Sequence, residues 1–196
     1  MGGGAVAARK AAGVLAAGAT RVRVVAPELT AALPESVERV AEPYAQRHLD
    51  GAGLVFAATD RADVNAAVVR DAHTAGLLVN RADIGEDDAA AGDFTVPALH
   101  RRGNVTLAVS IGGAPALAAK IRDQLARALD DRWSKLADAS ESLRPWVISK
   151  MSDPDRRRAA LRDLVGDEAA DLALSNDAVL RDWLIARYPE LRDSQS

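Results

Sequence analysis

The sequence predicts an α/β protein with a parallel sheet, and three observations favour this fold class. Helical runs alternate with short β-branched or apolar runs between Gly2 and about Leu78. Residues 54–58 are apolar throughout, as expected for a strand that is covered on both faces. Helix–strand alternation at this spacing is typical of parallel strands joined by crossover helices. The first half of the chain is therefore predicted to be a layered α/β domain.

The elements of this half follow from local signals. The glycine run at the start opens a helix that ends near Gly18, since glycine is a common helix stop. Thr59 and Asp60 are predicted to cap a later helix that runs to about Thr74. Strands are predicted at residues 22–26, 37–40, 54–58 and 77–79.

The pattern changes in the second half. Residues 94–100 and 104–110 are strand-like, and residues 101–103 are predicted to join them as a hairpin. A helix with apolar residues at i+4 spacing follows, and further helices are predicted to start at Asp153-Pro154 and at residues 175–177. The predicted organisation is a domain at residues 1–92, a dimerisation region at 93–130 and a C-terminal helical region at 131–196.

Composition excludes several classes of function. The chain has 196 residues, 25 Lys and Arg, 28 Asp and Glu, and a net charge of −3, without the basic stripe of a nucleic-acid-binding protein. It has no cysteine, so disulfides, thiolate zinc sites and a cysteine nucleophile are excluded. The three histidines, His48, His73 and His100, lack metal-ligand spacing, and no metal site is expected. No membrane span or signal peptide is recognised, and a cytoplasmic location is expected.

The glycine run carries the first functional signal, because residues 2–7 match the G-x-G-x-x-A pattern. In that pattern one glycine makes a tight turn, the next lets the backbone approach a pyrophosphate, and the small third residue lets the helix pack closely. The helix N-terminus then attracts the anion. A purely structural glycine turn is the alternative. Glu28, just after the strand predicted at residues 22–26, is either a ligand of ribose hydroxyls or a cap or solvated surface residue.

Several motifs in a fixed order carry a family resemblance. They are the segment from Gly2 to Lys10, Val-Val-Ala-Pro-Glu at residues 24–28, Ala-Ala-Thr-Asp at 57–60 followed by Asn65, Val-Asn leading to Asp83, Phe94-x-x-Pro97, and residues 108–113. The chain resembles the precorrin-2 dehydrogenases, which include the N-terminal half of siroheme synthases. The resemblance implies a Rossmann-like domain, a central dimerisation region, a helical C-terminal region, and NAD-dependent oxidation of precorrin-2 to sirohydrochlorin. Many members also insert Fe²⁺ to give siroheme.

The resemblance also implies site residues. Asp83 corresponds to the family's key carboxylate and is the expected catalytic base; the residues alone favour a helix cap or a loop turn before Gly85, and the resemblance reverses that preference. Because the substrate is a polycarboxylate, His100 and Arg101 are candidate ligands of its acid groups, with a solvated hairpin tip as the alternative. The other predicted substrate-binding residues are Ser110, Gly112 and Gly113. The predicted NAD-binding residues are Gly2, Gly3, Gly4, Ala5, Val6, Pro27, Glu28, Thr59, Asp60 and Asn80.

Two other functions stay open at this point. One is a nucleotide-sensing regulatory domain of the type that controls ion channels, although such domains carry an acidic residue where this chain has Ala26-Pro27. The other is an inactive tetrapyrrole-binding protein.

The start of the chain carries a further expectation. A phosphate-binding turn of this type follows a central strand, yet the turn's first glycine is residue 2. The sequence thus predicts a Rossmann-like sheet whose first strand is missing, and we expect the coding sequence to begin upstream with an apolar, β-branched segment.

Overall fold

Helices and short strands alternate through the first half of the protein, as predicted. The computed structural model describes residues 1–82 and 92–192, and the chain divides into two units, Met1–Val96 and Pro97–Ser196. The elements of the first unit are helix α1 (Ala5–Ala16), strands β1 (Arg23–Val25) and β2 (Glu38–Val40), a 3-10 turn (Gln46–Leu49), strand β3 (Leu54–Ala57), helix α2 (Ala62–Thr74) and strand β4 (Leu78–Arg81).

The strands of this unit pair in parallel, which confirms the predicted fold class. β1 pairs with β2, and β3 pairs with β4. Met1 and Gly2 lie between the two pairs: the Gly2 N–H donates to Val25 O at 2.9 Å, and the Ala58 N–H donates to Met1 O at 2.9 Å. A cavity of about 570 Å³ lies beside Met1 between the edges of β1 and β3. The expectation of a further strand before residue 2 stays a prediction.

Small side chains let the helices pack closely on these strands. Ala8 and Ala11 of α1 are buried against Val24 of β1. On β3 and β4, Val55 and Val79 are buried in a cluster with the apolar side of α2. Apolar burial of this kind contributes roughly 25 cal/mol per Å² removed from water. The loops after β1 and β3 are thereby held in fixed positions beside the start of α1.

The second unit begins with an antiparallel hairpin and continues as helices. Its elements are strands β5 (Ala98–Arg102) and β6 (Val105–Val109), helices α3 (Pro115–Ala128), α4 (Asp131–Lys150), α5 (Pro154–Asp163), α6 (Asp167–Ala173) and α7 (Asp177–Arg187), and a 3-10 turn (Pro189–Leu191). The predicted division into domains at residues 92 and 130 stays a prediction.

The hairpin turn lies one step later than predicted. Arg101 and Arg102 belong to β5, and Arg102 pairs with Val105, so the turn consists of Gly103 and Asn104. Gly103 has φ +54°, a left-handed conformation that glycine adopts without strain. Two-residue hairpin turns with glycine first match the twist of the strands. The sequence-based placement of the turn at residues 101–103 was therefore wrong.

Helix starts in the second unit agree with the predicted caps. The Asp153 carboxylate accepts hydrogen bonds from the N–H groups of Asp155 and Arg156, and Asn176 Oδ1 accepts one from Val179. Each of these bonds satisfies a backbone donor that the helix itself leaves unpaired. In the part of the chain that the structure describes, no helix is long and apolar enough to cross a membrane.

Candidate functional site

The turn at Gly2 and Gly3 is closed to any side chain. Gly2 has φ +113°, and a Cβ atom there would lie 2.2 Å from Ala58 O. A Cβ atom on Gly3 would lie 1.8 Å from Glu28 O. Both neighbours are backbone atoms, which cannot rotate away as a side chain would. The turn is thus packed between the loop after β1 and the loop after β3, and only glycine fits at either position.

The next residue, Gly4, faces open space instead. Among the described residues, no heavy atom would lie within 4 Å of a Cβ atom on Gly4. Gly4 is the N-cap of α1, and in the same part of the chain no side chain caps the helix or places a negative charge in its first turn. The first intrahelical bond runs from Ala8 N–H to Gly4 O, so the N–H groups of residues 5–7 have no intrahelical acceptor. An exposed helix end with free N–H groups and the positive end of the helix dipole fits a pyrophosphate.

Two loops meet this turn at the carboxyl ends of β1 and β3. In the first loop, Thr30 N–H donates to Gly3 O at 2.9 Å, and Glu28 and Pro27 are exposed beside it. In the second loop, Ala58 and Thr59 stand against Gly2. The structure therefore brings most of the predicted cofactor residues to one sheet edge: Gly2, Gly3, Gly4, Ala5, Val6, Pro27, Glu28, Thr59 and Asp60.

Asn65, which is not among the predicted site residues, holds Thr59 in place. Asn65 Oδ1 accepts hydrogen bonds from Thr59 N–H at 3.0 Å and from Thr59 Oγ1 at 2.8 Å, and Asn65 Nδ2 donates to Thr59 O at 3.0 Å. The Thr59 hydroxyl also contacts Arg61 O. The prediction that Thr59 and Asp60 cap α2 was wrong, because the N-cap is Arg61 and Thr59 uses its hydroxyl within the preceding turn.

Asn80 lies in a packed cluster on the α1 side of the sheet. It is 4% exposed, accepts a hydrogen bond from Lys10 Nζ at 2.6 Å and donates one to Phe94 O at 2.7 Å. Burial first, and then the nearby Arg9, lower the pKa of Lys10, whose ammonium also lies 5.4 Å from the Phe56 ring centroid. Asn80 thus already has partners on both ends of its amide, and its predicted contact with the cofactor stays a prediction.

Asp83, the predicted base, lies outside the described residues. The chain on both sides of residues 83–91 is hydrogen-bonded to the β3–β4 pair. Ala82 N–H donates to Ala57 O at 2.9 Å, and Asp93 exchanges two hydrogen bonds with the Val79 backbone at 2.7 and 2.8 Å. The hydrogen bond from the Val79 N–H lowers the pKa of Asp93, and the hydrogen bond to His73 lowers it further. The catalytic role of Asp83 stays a prediction.

The predicted substrate residues of the second unit do not form one cluster. His100 pairs with Leu107 and Arg101 with Thr106, so the two side chains lie on opposite faces of the hairpin. His100 Nε2 is buried and has no hydrogen-bond partner among the described residues. Ser110, Gly112 and Gly113 are exposed in the turn between β6 and α3. The structure thus separates His100 from Arg101.

Within residues 1–82 and 92–192, no group of three or more His, Asp and Glu side chains could hold a metal ion.

A closed glycine turn, an open helix N-terminus and parallel strands define a dinucleotide-binding α/β protein. The family model described as "Putative NAD(P)-binding" matches residues 1–98, half of the chain, and the protein belongs to this family. The cofactor therefore belongs to the class of nicotinamide dinucleotides, and the family description covers both NAD and NADP.

Individual relatives are consistent with the resemblance stated above. The chain is 39% identical to the siroheme synthase of Chromobacterium violaceum over 183 residues, covering 90% of this chain and 38% of that protein. Siroheme synthase 3 of Aeromonas hydrophila subsp. hydrophila is 37% identical over 181 residues, with 89% and 38% covered. The chain therefore spans about two fifths of the length of these relatives.

A solved structure shares the fold. "SirC, precorrin-2 dehydrogenase" superposes with a TM-score of 0.72 at 23% identity, covering 95% of this chain and 92% of that chain. This structure confirms the predicted α/β fold, and the two siroheme synthases confirm the predicted family resemblance. The comparisons give no support to a channel-regulating domain or to an inactive tetrapyrrole-binding protein.

Proposed function

We propose that this protein oxidises precorrin-2 to sirohydrochlorin with NAD as the hydride acceptor, in the cytoplasm. The observation that carries the proposal is the closed Gly2–Gly3 turn beside the open N-terminus of α1, which together form the proposed pyrophosphate cradle. The names of the relatives, siroheme synthase and precorrin-2 dehydrogenase, supply the substrate class.

The reaction needs two functions from the protein. When bound, NAD⁺ would supply the hydride acceptor for oxidation of the dihydro macrocycle, and this oxidation also releases a proton from the ring. The residues around the turn hold the pyrophosphate, and Asp83 is the proposed acceptor of the proton. An aspartate side chain has a usual pKa of about 3.9 and is therefore ionised at neutral pH. In that form, a correctly positioned carboxylate can receive the proton.

NAD is the proposed cofactor because of the charge beside the turn. Glu28 is exposed in the loop after β1, and its backbone carbonyl oxygen lies directly beside Gly3. In this type of fold an acidic residue near the second strand bonds the ribose hydroxyls of NAD, whereas NADP needs a cation for its 2′-phosphate. A carboxylate at Glu28 would repel that phosphate.

The decisive assay follows the spectrum of precorrin-2 during incubation with the protein and each cofactor. We expect sirohydrochlorin and NADH to form together with NAD, and catalytic efficiency to fall at least about tenfold with NADP, equivalent to about 1.4 kcal/mol of repulsion. The Glu28→Gln variant should show a smaller difference in catalytic efficiency between NAD and NADP. No turnover with either cofactor would contradict the proposed function, and equal rates would contradict only the assignment of NAD.

Iron insertion is proposed as a second activity, because the relatives are named siroheme synthases. Here Fe²⁺ is a substrate that displaces two pyrrole protons of sirohydrochlorin. Adding Fe²⁺ at the end of the dehydrogenase assay tests the activity directly, since formation of siroheme changes the absorption spectrum again.

A homodimer is proposed because an apolar surface in the second unit is exposed. We call Leu117 and Leu125 the α3 patch; both are 48% exposed. Leu117 and Leu125 both lie on α3, at positions that repeat on one side of the helix. Burying a leucine fully is worth about 1.5–3 kcal/mol, so a second copy of the chain covering this patch would gain substantially.

We expect light scattering to show a dimer at micromolar concentration, and Leu117→Glu with Leu125→Glu to weaken dimerisation by at least about 100-fold, equivalent to about 2.7 kcal/mol. Val165→Glu is the matched control, because Val165 is 58% exposed and lies outside the α3 patch. The proposal fails if the wild-type protein is a monomer or if the control dissociates equally.

A further inference from the structure

Asn65 is fully buried, and all its hydrogen-bonding side-chain atoms contact a single residue. It is 0% exposed and lies in the first turn of α2. Its Oδ1 and Nδ2 atoms bond the N–H, the hydroxyl and the carbonyl of Thr59, six residues earlier, at 2.8–3.0 Å. A buried amide with this many bonds to one residue fixes the orientation of that residue's peptide groups.

The peptide that Asn65 fixes forms one wall of the glycine turn. A Cβ atom on Gly2 would lie 2.2 Å from Ala58 O and 3.0 Å from Thr59 N, so Gly2 stands directly against the Ala58–Thr59 peptide. The preceding Ala58 N–H donates to Met1 O. A rotation of the Ala58–Thr59 peptide would therefore press on Gly2.

The other wall of the turn needs no such residue. Gly3 O accepts a hydrogen bond from Thr30 N–H, and Gly2 N–H donates to Val25 O, so backbone groups after and within β1 hold that side. On the β3 side the wall is a loop residue, and a side chain from α2 secures it. An apolar residue at position 65 could fill the same space but could not orient the peptide.

We infer that Asn65 is a positioning residue for dinucleotide binding. It holds the Ala58–Thr59 peptide, which sets the Gly2–Gly3 turn and thereby the free N–H groups at the start of α1. This inference rests on the proposed function only through its cofactor. Binding of the pyrophosphate, which the turn would contact, should depend on Asn65. Binding of the adenosine part of the cofactor should not depend on it.

The test compares Asn65→Asp with the wild-type protein. Aspartate has the same shape and keeps the acceptor for Thr59 N–H, but it loses the donor to Thr59 O and places a negative charge there. We expect the Kd for NAD⁺, measured by calorimetry, to rise about tenfold or more, since an unmatched buried polar contact has a cost of that order. The Kd for adenosine, which lacks the pyrophosphate, should stay within about twofold, a split that general unfolding would not produce.

Two further variants keep the test decisive. Thr59→Val removes the hydroxyl that bonds Asn65 and should weaken NAD⁺ binding even if both Asn65→Asp and Asn65→Ala are unfolded. Asn176→Asp is the matched control, because aspartate can replace that helix cap. Circular dichroism confirms that each variant is folded at the temperature of the measurement.

The outcomes distinguish the positioning role of Asn65 from the proposed function of the protein. Unchanged NAD⁺ affinity in folded Asn65→Asp, or in Thr59→Val where the Asn65 variants do not fold, overturns the positioning role and leaves the proposed function standing. Equal losses for NAD⁺ and adenosine also overturn it, because they indicate general damage. A wild-type protein that binds neither NAD⁺ nor NADP⁺ overturns the proposed cofactor and the positioning role together.

Discussion

Replacing Asp83 by alanine is expected to lower the kcat of precorrin-2 oxidation by about 10²–10⁴-fold, the usual effect of losing a positioned acid–base group. The affinity for NAD⁺ should stay unchanged, because the proposed pyrophosphate cradle at Gly2–Gly4 belongs to a different part of the chain. Steady-state kinetics and calorimetry with the same preparation measure both quantities.

The neighbouring acidic residues supply the matched controls. Glu86 and Asp87 lie in the same stretch of sequence as Asp83 and carry the same charge, and changing each to alanine should leave kcat within about threefold, because the family resemblance points to Asp83 alone in this stretch. The pH profile adds a second criterion: the wild-type kcat should fall as the base is protonated at low pH, and Asp83→Ala should lose that limb. If Asp83→Ala lowers the melting temperature but not kcat, the residue is a cap or turn rather than the base.

Local chemistry made much of the fold predictable. The helix starts at Asp153 and Asn176 were found because a capping side chain bonds backbone groups two or three residues away. The parallel pairing of β3 with β4 followed from an apolar strand and the helix after it. Such signals lie within a few residues of the element that they define.

The hairpin and the cap of α2 show where local signals fail. Arg101 and Arg102 are polar residues beside a glycine and resemble a turn, yet strand pairing includes them and leaves the turn to Gly103 and Asn104. The capping residue types at Thr59 and Asp60 predicted a helix start, but the bonds to Asn65 place Thr59 in the preceding loop. In both cases a contact with another part of the chain decided the outcome.

The candidate site shows the same division. The glycine pattern predicted the turn, but only the coordinates show that Gly2 and Gly3 are closed while Gly4 is open. Lys10 and Asn80 are 70 residues apart in sequence, so no local pattern could pair them. Asn65 stood in the family motif, and its burial, which a motif does not reveal, is what points to its role.

Replacing Gly3 by alanine is expected to raise the Kd for NAD⁺ by at least about 100-fold, equivalent to about 2.7 kcal/mol, and to lower the melting temperature. The new Cβ atom would lie 1.8 Å from Glu28 O and 2.9 Å from Ala26 Cβ, far inside contact distance. Overpacking of this kind typically costs about 1–3 kcal/mol, and here the turn can relieve it only by moving away from the loop after β1.

Gly13→Ala is the matched control for this prediction, because Gly13 lies in α1, the helix that follows the turn, and no atom of the described residues would lie within 4 Å of its new Cβ atom. Alanine there should stabilise α1 by about 0.5–1 kcal/mol and leave the Kd for NAD⁺ unchanged. Thermal melts and calorimetry on the two variants measure both effects. If Gly3→Ala binds NAD⁺ as tightly as Gly13→Ala does, the turn at Gly2–Gly3 is not the pyrophosphate cradle, and the dinucleotide must bind elsewhere on the protein.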